Sequence, residues 1–367
     1  MEHFTKKDSM KAKGIAVCLL IFHHLFFIDR GYTLNLLLFS KNSLINLAVA
    51  TRICVWIFVF VSSYGISTLY NSKPESESIS HFIFARWFSL MKNFWIIYIL
   101  VFWVLLLAGD NPMQRYNGSI FSLLLDFFAW SDLFGTPTIF GAWWYMCFAQ
   151  VMILFIPVLI EVCKFFGGII SILGCFIGIL YLNVGIVSSS GGNYLMYLMA
   201  IVFGILCVQY KFFERLKTRR GVSAAFECIF VLLIVILLIY CRFIVVSETF
   251  EYNNRNINYV LYSLAAVGIC IIAFRLCEKH IEKVFIFLGK HSGNIFLTHM
   301  FYVRYLGKYM FFTKSVLGTW VIVTLISCIT SIVIEFIKEI IQYNKWLKVL
   351  ENRIWNIHST NKVNDSV

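Results

Sequence analysis

The chain has 367 residues, of which 60% are hydrophobic and 14% charged, and its mean hydropathy is +0.80. Soluble domains are usually about 25% charged, and the apolar runs here reach the roughly 20 residues that cross ~30 Å of hydrocarbon. This composition excludes a soluble globular protein. The unbroken runs also exclude a barrel, whose strands alternate in segments of about ten residues. We predict an all-α, polytopic membrane protein.

The apolar runs, taken in chain order, predict about ten transmembrane helices. The first follows a short basic tail, residues 1–12, and lacks a small-residue cleavage site, so we expect it to be retained. A second tail, residues 343–367, follows the predicted transmembrane domain at residues 13–342. The predicted spans are about 13–29, 45–70, 82–108, 142–163, 168–187, 194–210, 222–246, 258–274, 293–306 and 316–341.

The net charge of +12 is best explained by topology. Lysine and arginine collect in cytoplasmic loops. When alternate loops are placed on opposite sides, one side receives most of the cations, including both tails and the basic loop 211–221. Both termini are therefore predicted to be cytoplasmic. Membrane lipid is an expected partner, and nucleic acid is not. The 11 cysteines form no CxxC pair, so we interpret them as packing residues and expect no metal site.

The first span carries ionisable residues at two depths. His23 and His24 lie within the apolar run, about 16 Å by helical rise from Lys13 at its cytoplasmic start. Intramembrane ionisable residues usually mark function. A histidine there can act as a general base, and a lysine at the edge can hold a phosphate. The alternative is that Lys13 sets topology and the histidines only bond to neighbouring helices.

The penultimate span repeats this pattern in the segment 288–299. Ser292 is predicted to cap a helix whose face carries Thr298 and His299. His299 would lie roughly 10 Å inside the cytoplasmic edge, in reach of the layer that holds His24. Two intramembrane histidines on separate helices favour a shared polar site. The alternative is a buried polar contact that only fixes packing.

Two further groups are candidates for substrate binding. Arg86 and Lys92, near the start of the third span, could hold the phosphates of a cytoplasmic donor, although topology and anionic lipid also account for such cations. Trp144 opens a span with an aromatic pair, a pattern that is typical of interface residues.

Four stretches of the chain, in the same order, resemble motifs of the bacterial acyltransferase 3 family. Lys13 to His24 is similar to its first-helix motif, in which a basic residue is followed after ten residues by an essential histidine. Residues 58–65, FVFVSSYG, resemble its "FFxLSGY" stretch. Trp144 to Pro157 matches its tryptophan-to-proline spacing, and residues 288–299 resemble its "GxxS..IYLxH" motif.

The chain departs from the family pattern at four positions. Lys13 stands where arginine is usual, and lysine lacks the planar guanidinium group whose paired N–H donors bind phosphate. Ser63 stands where glycine is usual. Ala149 and Gln150 stand where many members carry acidic residues, so the role of that carboxylate cannot be transferred.

The resemblance implies an O-acyltransferase of the bacterial inner membrane. It implies acetyl-CoA as co-substrate, no bound cofactor, and a carbohydrate hydroxyl of capsule, exopolysaccharide or lipopolysaccharide as acceptor. His24 and His299 would be catalytic. The donor or substrate would be held by Lys13, Arg86, Lys92, Ser292, His23 and Trp144. The alternative function is a transporter or flippase for a glycolipid or small solute, since intramembrane histidines also mark proton paths.

Overall fold

The computed structural model describes residues 4–31, 34, 40–181, 187–188, 192–216, 222–247, 257–276 and 279–364. This described part of the chain is helical, apart from its connections and one two-residue antiparallel pair, β1 (Val187–Ser188) and β2 (Gly192–Asn193). Part of the predicted basic loop, residues 217–221, lies outside the described residues.

The described helices follow one another in chain order with five short 3₁₀ segments between them. The α-helices are α1 (Lys6–Phe26), α2 (Lys41–Ala50), α3 (Cys54–Asn71), α4 (Ile79–Leu107), α5 (Ile120–Phe127), α6 (Ser131–Phe134), α7 (Trp144–Tyr181), α8 (Leu198–Gln209), α9 (Phe212–Arg215), α10 (Val222–Ser247), α11 (Ile257–Arg275), α12 (Lys279–Tyr305), α13 (Gly307–Met310), α14 (Val316–Ile340) and α15 (Tyr343–Asn364). The 3₁₀ segments are Thr51–Ile53, Pro112–Tyr116, Gly141–Trp143, Tyr194–Tyr197 and Phe311–Thr313.

Seven helical segments in the described ranges are long and apolar enough to cross a membrane. Three features account for the difference between these seven segments and the ten predicted spans. The segment that contains α7 is counted once although it bends sharply, α8 with its preceding turn is short, and α12 carries many polar residues. The ten-span count and the cytoplasmic location of both ends stay predictions.

Helices α1 and α12 begin about two turns or more before their predicted starts. Helix α1 begins at Lys6 instead of residue 13, because Thr5 caps it and Asp8 bonds back to the Thr5 backbone. Helix α12 begins at Lys279 instead of residue 293. Ser292 is therefore not a helix cap, since it lies in the middle of α12. Hydropathy placed both starts too late because the first turns of each helix are charged.

Helix α7 bends at Gly167, whose φ of 76° and ψ of 169° are not helical. Tyr210 stabilises the bend, because its hydroxyl accepts a hydrogen bond of 2.8 Å from the Gly168 N–H. The bend falls between the two predicted spans 142–163 and 168–187. A non-glycine residue would be strained at this positive φ.

The core of the bundle includes a close contact between α3 and α8. Ser63, which stands where the motif that it resembles has glycine, is fully buried, and its hydroxyl donates to the Ile201 carbonyl at 2.7 Å. Gly204 faces it, and a Cβ there would lie 2.9 Å from the Ser63 Cβ. The small residue needed at this contact is thus supplied by α8.

Candidate functional site

Helices α1 and α12 lie in backbone contact. A Cβ atom on Gly14 would lie 2.2 Å from the Phe285 carbonyl oxygen, and one on Gly289 would lie 1.8 Å from the Met10 carbonyl oxygen. Both distances are far shorter than a van der Waals contact, so only glycine permits this approach. The two glycines therefore fix how closely the helices pack.

The charged ends of the same helices fix their register. Lys7 forms an ion pair with Glu282. Lys11 is buried, pairs with Asp8 at 2.8 Å and donates to the Leu276 carbonyl at 2.8 Å. Because the N-terminal turns of α1 and α12 meet in this way, the helices run parallel and their later turns lie at matching depths.

This register brings His24 and His299 together. Their ring centroids are 4.9 Å apart, and the His23 ring lies 5.0 Å from that of His24. His299 is fully buried, whereas His24 and His23 keep part of their surface accessible. The structure therefore assembles the two predicted catalytic histidines into one cluster with His23.

Hydrogen bonds to backbone carbonyls assign the protons on two of these rings. Nδ1 of His299 donates to the Phe296 carbonyl at 2.7 Å, and Nδ1 of His23 donates to the Ala48 carbonyl at 2.7 Å. A neutral imidazole that donates from Nδ1 carries a lone pair on Nε2. His299 Nε2 and His24 Nδ1 are buried and have no hydrogen-bond partner among the described residues. Such atoms cost about 1–3 kcal/mol each when left unpaired, so they mark a place where a substrate group can bind.

A break between α2 and α3 supplies the carbonyl that holds His23. At Thr51–Ile53 the chain forms a 3₁₀ turn inside a long apolar segment. The Thr51 hydroxyl donates to the Ala48 carbonyl at 2.7 Å, which is the same carbonyl that His23 contacts. Threonine hydroxyls compete with the helical backbone in this way. The break thus lies beside the histidine cluster.

Arg52 lies on this break. It was not selected as a candidate site residue in the sequence analysis. It directly follows Thr51, whose hydroxyl shares the Ala48 carbonyl with His23. Its side chain is half-buried, and no carboxylate in the described part of the chain pairs with it. The sequence feature that could have identified Arg52 is its position as a single cation in the middle of a 31-residue apolar segment. Membrane charges of this kind are usually paired or functional.

The three predicted donor-binding cations lie in separate surroundings. Lys13 is half-buried on α1 beside the Gly14 contact. Arg86 lies over the Phe82 ring at 5.6 Å, and its buried Nε has no partner among the residues described. The Lys92 carbonyl accepts a hydrogen bond from Tyr343 at 2.8 Å. Six helical steps turn Arg86 and Lys92 about 120° apart, so the pair does not by itself form a single binding face.

Ser292 and Trp144 make contacts that differ from the expected ones. The Ser292 hydroxyl donates to the Gly289 carbonyl of its own helix at 2.8 Å. Trp144 packs among aromatic rings, with the Tyr197 ring 5.8 Å and the Tyr145 ring 5.9 Å away. It reaches His299 only through two further rings, those of Tyr145 and Phe296.

A polar network holds the opposite face of α12 against α14. Asn294 donates to Glu335 at 2.8 Å and to Ser331 at 3.0 Å, and His291 bonds to Ser331 at 2.8 Å. Lys338 is buried and pairs with Glu335 at 2.7 Å. These bonds occupy the polar side chains on this side of α12. They hold α12 in the orientation in which His299 faces α1.

Gln150 makes hydrogen bonds that tie neighbouring segments together. Its amide oxygen accepts from Trp87 at 2.7 Å and from Trp130 at 3.0 Å, and its amide nitrogen donates to the Phe128 carbonyl at 3.0 Å. The amide therefore ties the 109–141 connection to α4 and α7.

The arrangement is suited to proton transfer in a place that excludes most water. Two imidazoles lie in contact, one fixed as an acceptor at Nε2 and the other partly accessible, and Arg52 lies on the neighbouring helix break. Within the described ranges, no group of three His, Cys, Asp or Glu side chains could hold a metal ion. These features define a multi-pass, all-helical membrane protein whose polar centre is a histidine pair.

The chain belongs to the acyltransferase 3 family. The family described as "Acyltransferase domain" matches residues 12–337, which include both histidines and all the other predicted site residues. The suspected resemblance is thereby confirmed, and the protein is a membrane acyltransferase. No curated protein and no solved structure matches the chain significantly.

Proposed function

We propose that the protein transfers an acetyl group from acetyl-CoA to a hydroxyl of a cell-surface or lipid-linked carbohydrate, in the cytoplasmic membrane of a bacterium. The observation that carries this proposal is the unpartnered nitrogen pair of His24 and His299, held at contact distance inside the bundle. Acyl transfer to an alcohol needs a base at the hydroxyl, and imidazole is the side chain most often used.

The proposed step keeps every proton and bond in balance. His24, the more accessible ring, takes the proton of the acceptor hydroxyl, and the hydroxyl oxygen attacks the thioester carbonyl. The new C–O bond forms, the C–S bond breaks, and the proton passes to the leaving thiolate. His299 positions His24 and presents its Nε2 lone pair to the same space. Arg52 stabilises the negative charge that develops on the carbonyl oxygen.

The donor is proposed to enter from the cytoplasmic side, where its phosphates meet cations. Lys13 and Arg86 are half-buried, and no carboxylate pairs with either in the described residues. Buried cations of this kind are stabilised when an anion binds. Lys92, Ser292, His23 and Trp144 are the other residues proposed to bind donor or substrate. The enzyme would need no bound cofactor, because the thioester itself supplies the activated acyl group.

The test is transfer of radiolabelled acetyl groups from acetyl-CoA by the protein in native membranes. The variant His24→Ala should lose about 10²- to 10⁴-fold of the rate, since that is the usual contribution of a general base. The matched control is His81→Ala, because His81 is half-exposed at the start of α4, where its ring bonds to Glu77 and packs against Trp355, away from the histidine cluster. Equal insertion of all variants is checked by membrane abundance and thermal stability.

Full activity of a correctly inserted His24→Ala variant would remove His24 from the mechanism. Deletion of the gene, followed by mass spectrometry of surface glycans, identifies the acceptor through the acetyl groups that disappear. The alternative, a transporter or flippase, predicts uptake that depends on an ion gradient and no label on glycans.

A further inference from the structure

Helix α15 carries an exposed apolar strip in its first turns. The strip consists of Trp346, Val349 and Leu350, which are 71%, 45% and 44% exposed. Val349 and Leu350 follow Trp346 by three and four positions, so the three side chains lie on one side of the helix. An exposed tryptophan in such a strip costs free energy in water, and this cost is removed when the strip lies against an apolar surface.

Three exposed cations accompany the apolar strip. Lys345 and Lys348 lie on the adjoining side of α15, and Arg353 follows Val349 by one turn on the side of the strip itself. No carboxylate in the described part of the chain forms an ion pair with any of the three. Helices that combine a cationic side with an apolar side rich in tryptophan and leucine are typical of the membrane interface.

Helix α15 follows directly on a helix that can span the membrane. That helix, α14, is long and apolar enough to cross the bilayer and ends at Ile340. Gln342 then adopts a left-handed conformation, with φ 50°, which ends α14 and turns the chain into α15. The apolar strip therefore begins within about two turns of the end of a candidate span.

Contacts with α4 give the depth of α15. The Tyr343 hydroxyl donates to the Lys92 carbonyl at 2.8 Å, and the Trp355 ring lies 5.9 Å from that of Phe84. By helical rise, Lys92 lies about 22 Å and Phe84 about 34 Å from the opposite end of α4 at Leu107. The hydrocarbon is about 30 Å thick, so α15 passes through the layer in which hydrocarbon meets the lipid headgroups.

We propose that α15 is an interfacial helix that binds anionic phospholipid. The apolar strip enters the upper acyl region, and Lys345, Lys348 and Arg353 bind the lipid phosphates. Their long side chains reach the headgroups while the strip leaves water. A lipid partner is favoured over a soluble protein because the charge is complementary and because α15 continues from a candidate span. The proposal does not depend on the proposed acyl transfer.

The first experiment measures contact between Trp346 and lipid in nanodiscs that contain the full-length protein. Phospholipids with bromine on the upper acyl chain quench tryptophan fluorescence only at short range. The signal of Trp346, one of ten tryptophans, is obtained by subtracting the spectrum of a Trp346→Phe variant from that of the parent. Brominated lipid should lower this signal at least about twofold, because the ring lies on the lipid side of α15.

Two other tryptophans, isolated in the same way, are the references. Trp103 is 56% exposed on α4 and should be quenched as strongly as Trp346, whereas Trp56 is 1% exposed and should not be quenched. A Trp346 signal that behaves like that of Trp56 would overturn the proposal, since α15 would then lie in water or against another protein segment.

The second experiment tests the class of lipid. Nanodiscs of equal phosphatidylglycerol and phosphatidylcholine content carry the bromine either on the anionic or on the zwitterionic lipid. Quenching of Trp346 should favour phosphatidylglycerol about two- to fivefold at low salt, because nearby cations attract anionic headgroups and salt screens them. The combined variant Lys345→Gln, Lys348→Gln and Arg353→Gln should abolish the preference while Trp346 remains quenched.

The matched control is Lys283→Gln, an exposed cation in the first turns of α12, which should keep the preference. No preference in the parent, or one that the combined variant retains, contradicts binding of anionic lipid by these cations. Loss of the preference with inorganic phosphate, but not with sodium chloride of equal ionic strength, would assign the cations to a free anion and also contradict it. Melting temperatures of all variants verify that the fold is kept.

Discussion

At the scale of single residues, the two histidines differ in burial and in hydrogen bonding, and this difference divides their proposed roles. His299 is fully buried and donates from Nδ1 to its own helix, so its position and tautomer are fixed. His24 keeps accessible surface and lies between His299 and His23. In the proposed mechanism His24 is therefore the ring that meets the substrate, and His299 is the ring that orients it.

Arg52 gives the first prediction at this scale. Arg52→Gln should lower the maximal rate of acetyl transfer about 10²- to 10³-fold, the usual loss when one group that stabilises an oxyanion is removed. The KM for acetyl-CoA should change little, because Arg52 acts on charge that develops in the transition state. Arg52→Lys should recover part of the rate, because the charge is kept.

The matched control is Lys308→Gln, an exposed cation on α13, which lies at the same end of the bundle. It should leave the rate unchanged. A rise in KM with an unchanged maximal rate for Arg52→Gln would assign Arg52 to substrate binding and refute a role in the transition state.

At the scale of elements, the glycine contact between α1 and α12 sets the distance between the histidines. Gly289→Ala places a Cβ 1.8 Å from the Met10 carbonyl oxygen, so the helices must separate. We expect a loss of about 1–3 kcal/mol of stability from overpacking, and at least a tenfold loss of transfer rate. Thermal unfolding in detergent and the acetyl-transfer assay check the two effects.

Gly174→Ala is the control for this prediction. Gly174 lies in the second half of α7, and a Cβ there has open space within 4 Å. Alanine should therefore be neutral or stabilise by up to about 1 kcal/mol through helix propensity. Normal activity of Gly289→Ala would show that the site tolerates a wider spacing, contrary to our argument.

The connection between α4 and α5 is tied to the end of α12 by one carboxylate. Asp110 accepts from Tyr305 at 2.8 Å and pairs with Arg115 at 2.7 Å. The Arg115 hydrogen bond, followed by that of Tyr305, holds the pKa of Asp110 below its usual 3.8. A lowered pKa in the folded state means that the ionised form adds stability above the unfolded value, and that this stability is lost as pH falls.

Asp110→Asn should therefore lower stability by about 0.2–1 kcal/mol at neutral pH, a small value because the group is partly exposed. The difference from the parent should shrink as pH falls below 3.8 through the lowered pKa. Melting temperatures in detergent between pH 7 and pH 3 measure it, with Glu75→Gln on an exposed loop as control. A difference that persists at the lowest pH would argue against the ion pair as its source.

At the scale of the whole molecule, the topology is open to a direct test. Ten spans with both ends inside predict that a C-terminal green fluorescent protein fluoresces and that a C-terminal alkaline phosphatase is inactive in a bacterial host. Fusions after residue 76 should behave in the same way, and fusions after residue 112 in the opposite way. An active phosphatase at the C-terminus would require an odd number of spans.

The amino-acid sequence determined the class of the protein and selected most of the residues of its candidate site. Long apolar runs can lie only in a membrane, and His24 and His299 are costly there unless they are sheltered, so both could be identified from residue type and position alone. The four motifs predicted the family, which is confirmed. These properties are local, because they depend on composition and on distance along one helix.

The tertiary structure decided which of these groups meet. The helical rise predicted how deep each histidine lies along its own helix. Their contact with each other depends on Gly14 and Gly289, which let the backbones of α1 and α12 approach closely although the two segments are far apart in the sequence. Arg52 enters the site because a 3₁₀ turn interrupts the helix beside His23, and no pattern of hydropathy predicts that interruption. Contacts between helices depend on how the helices pack, and the hydrophobic periodicity of a single segment does not predict that packing.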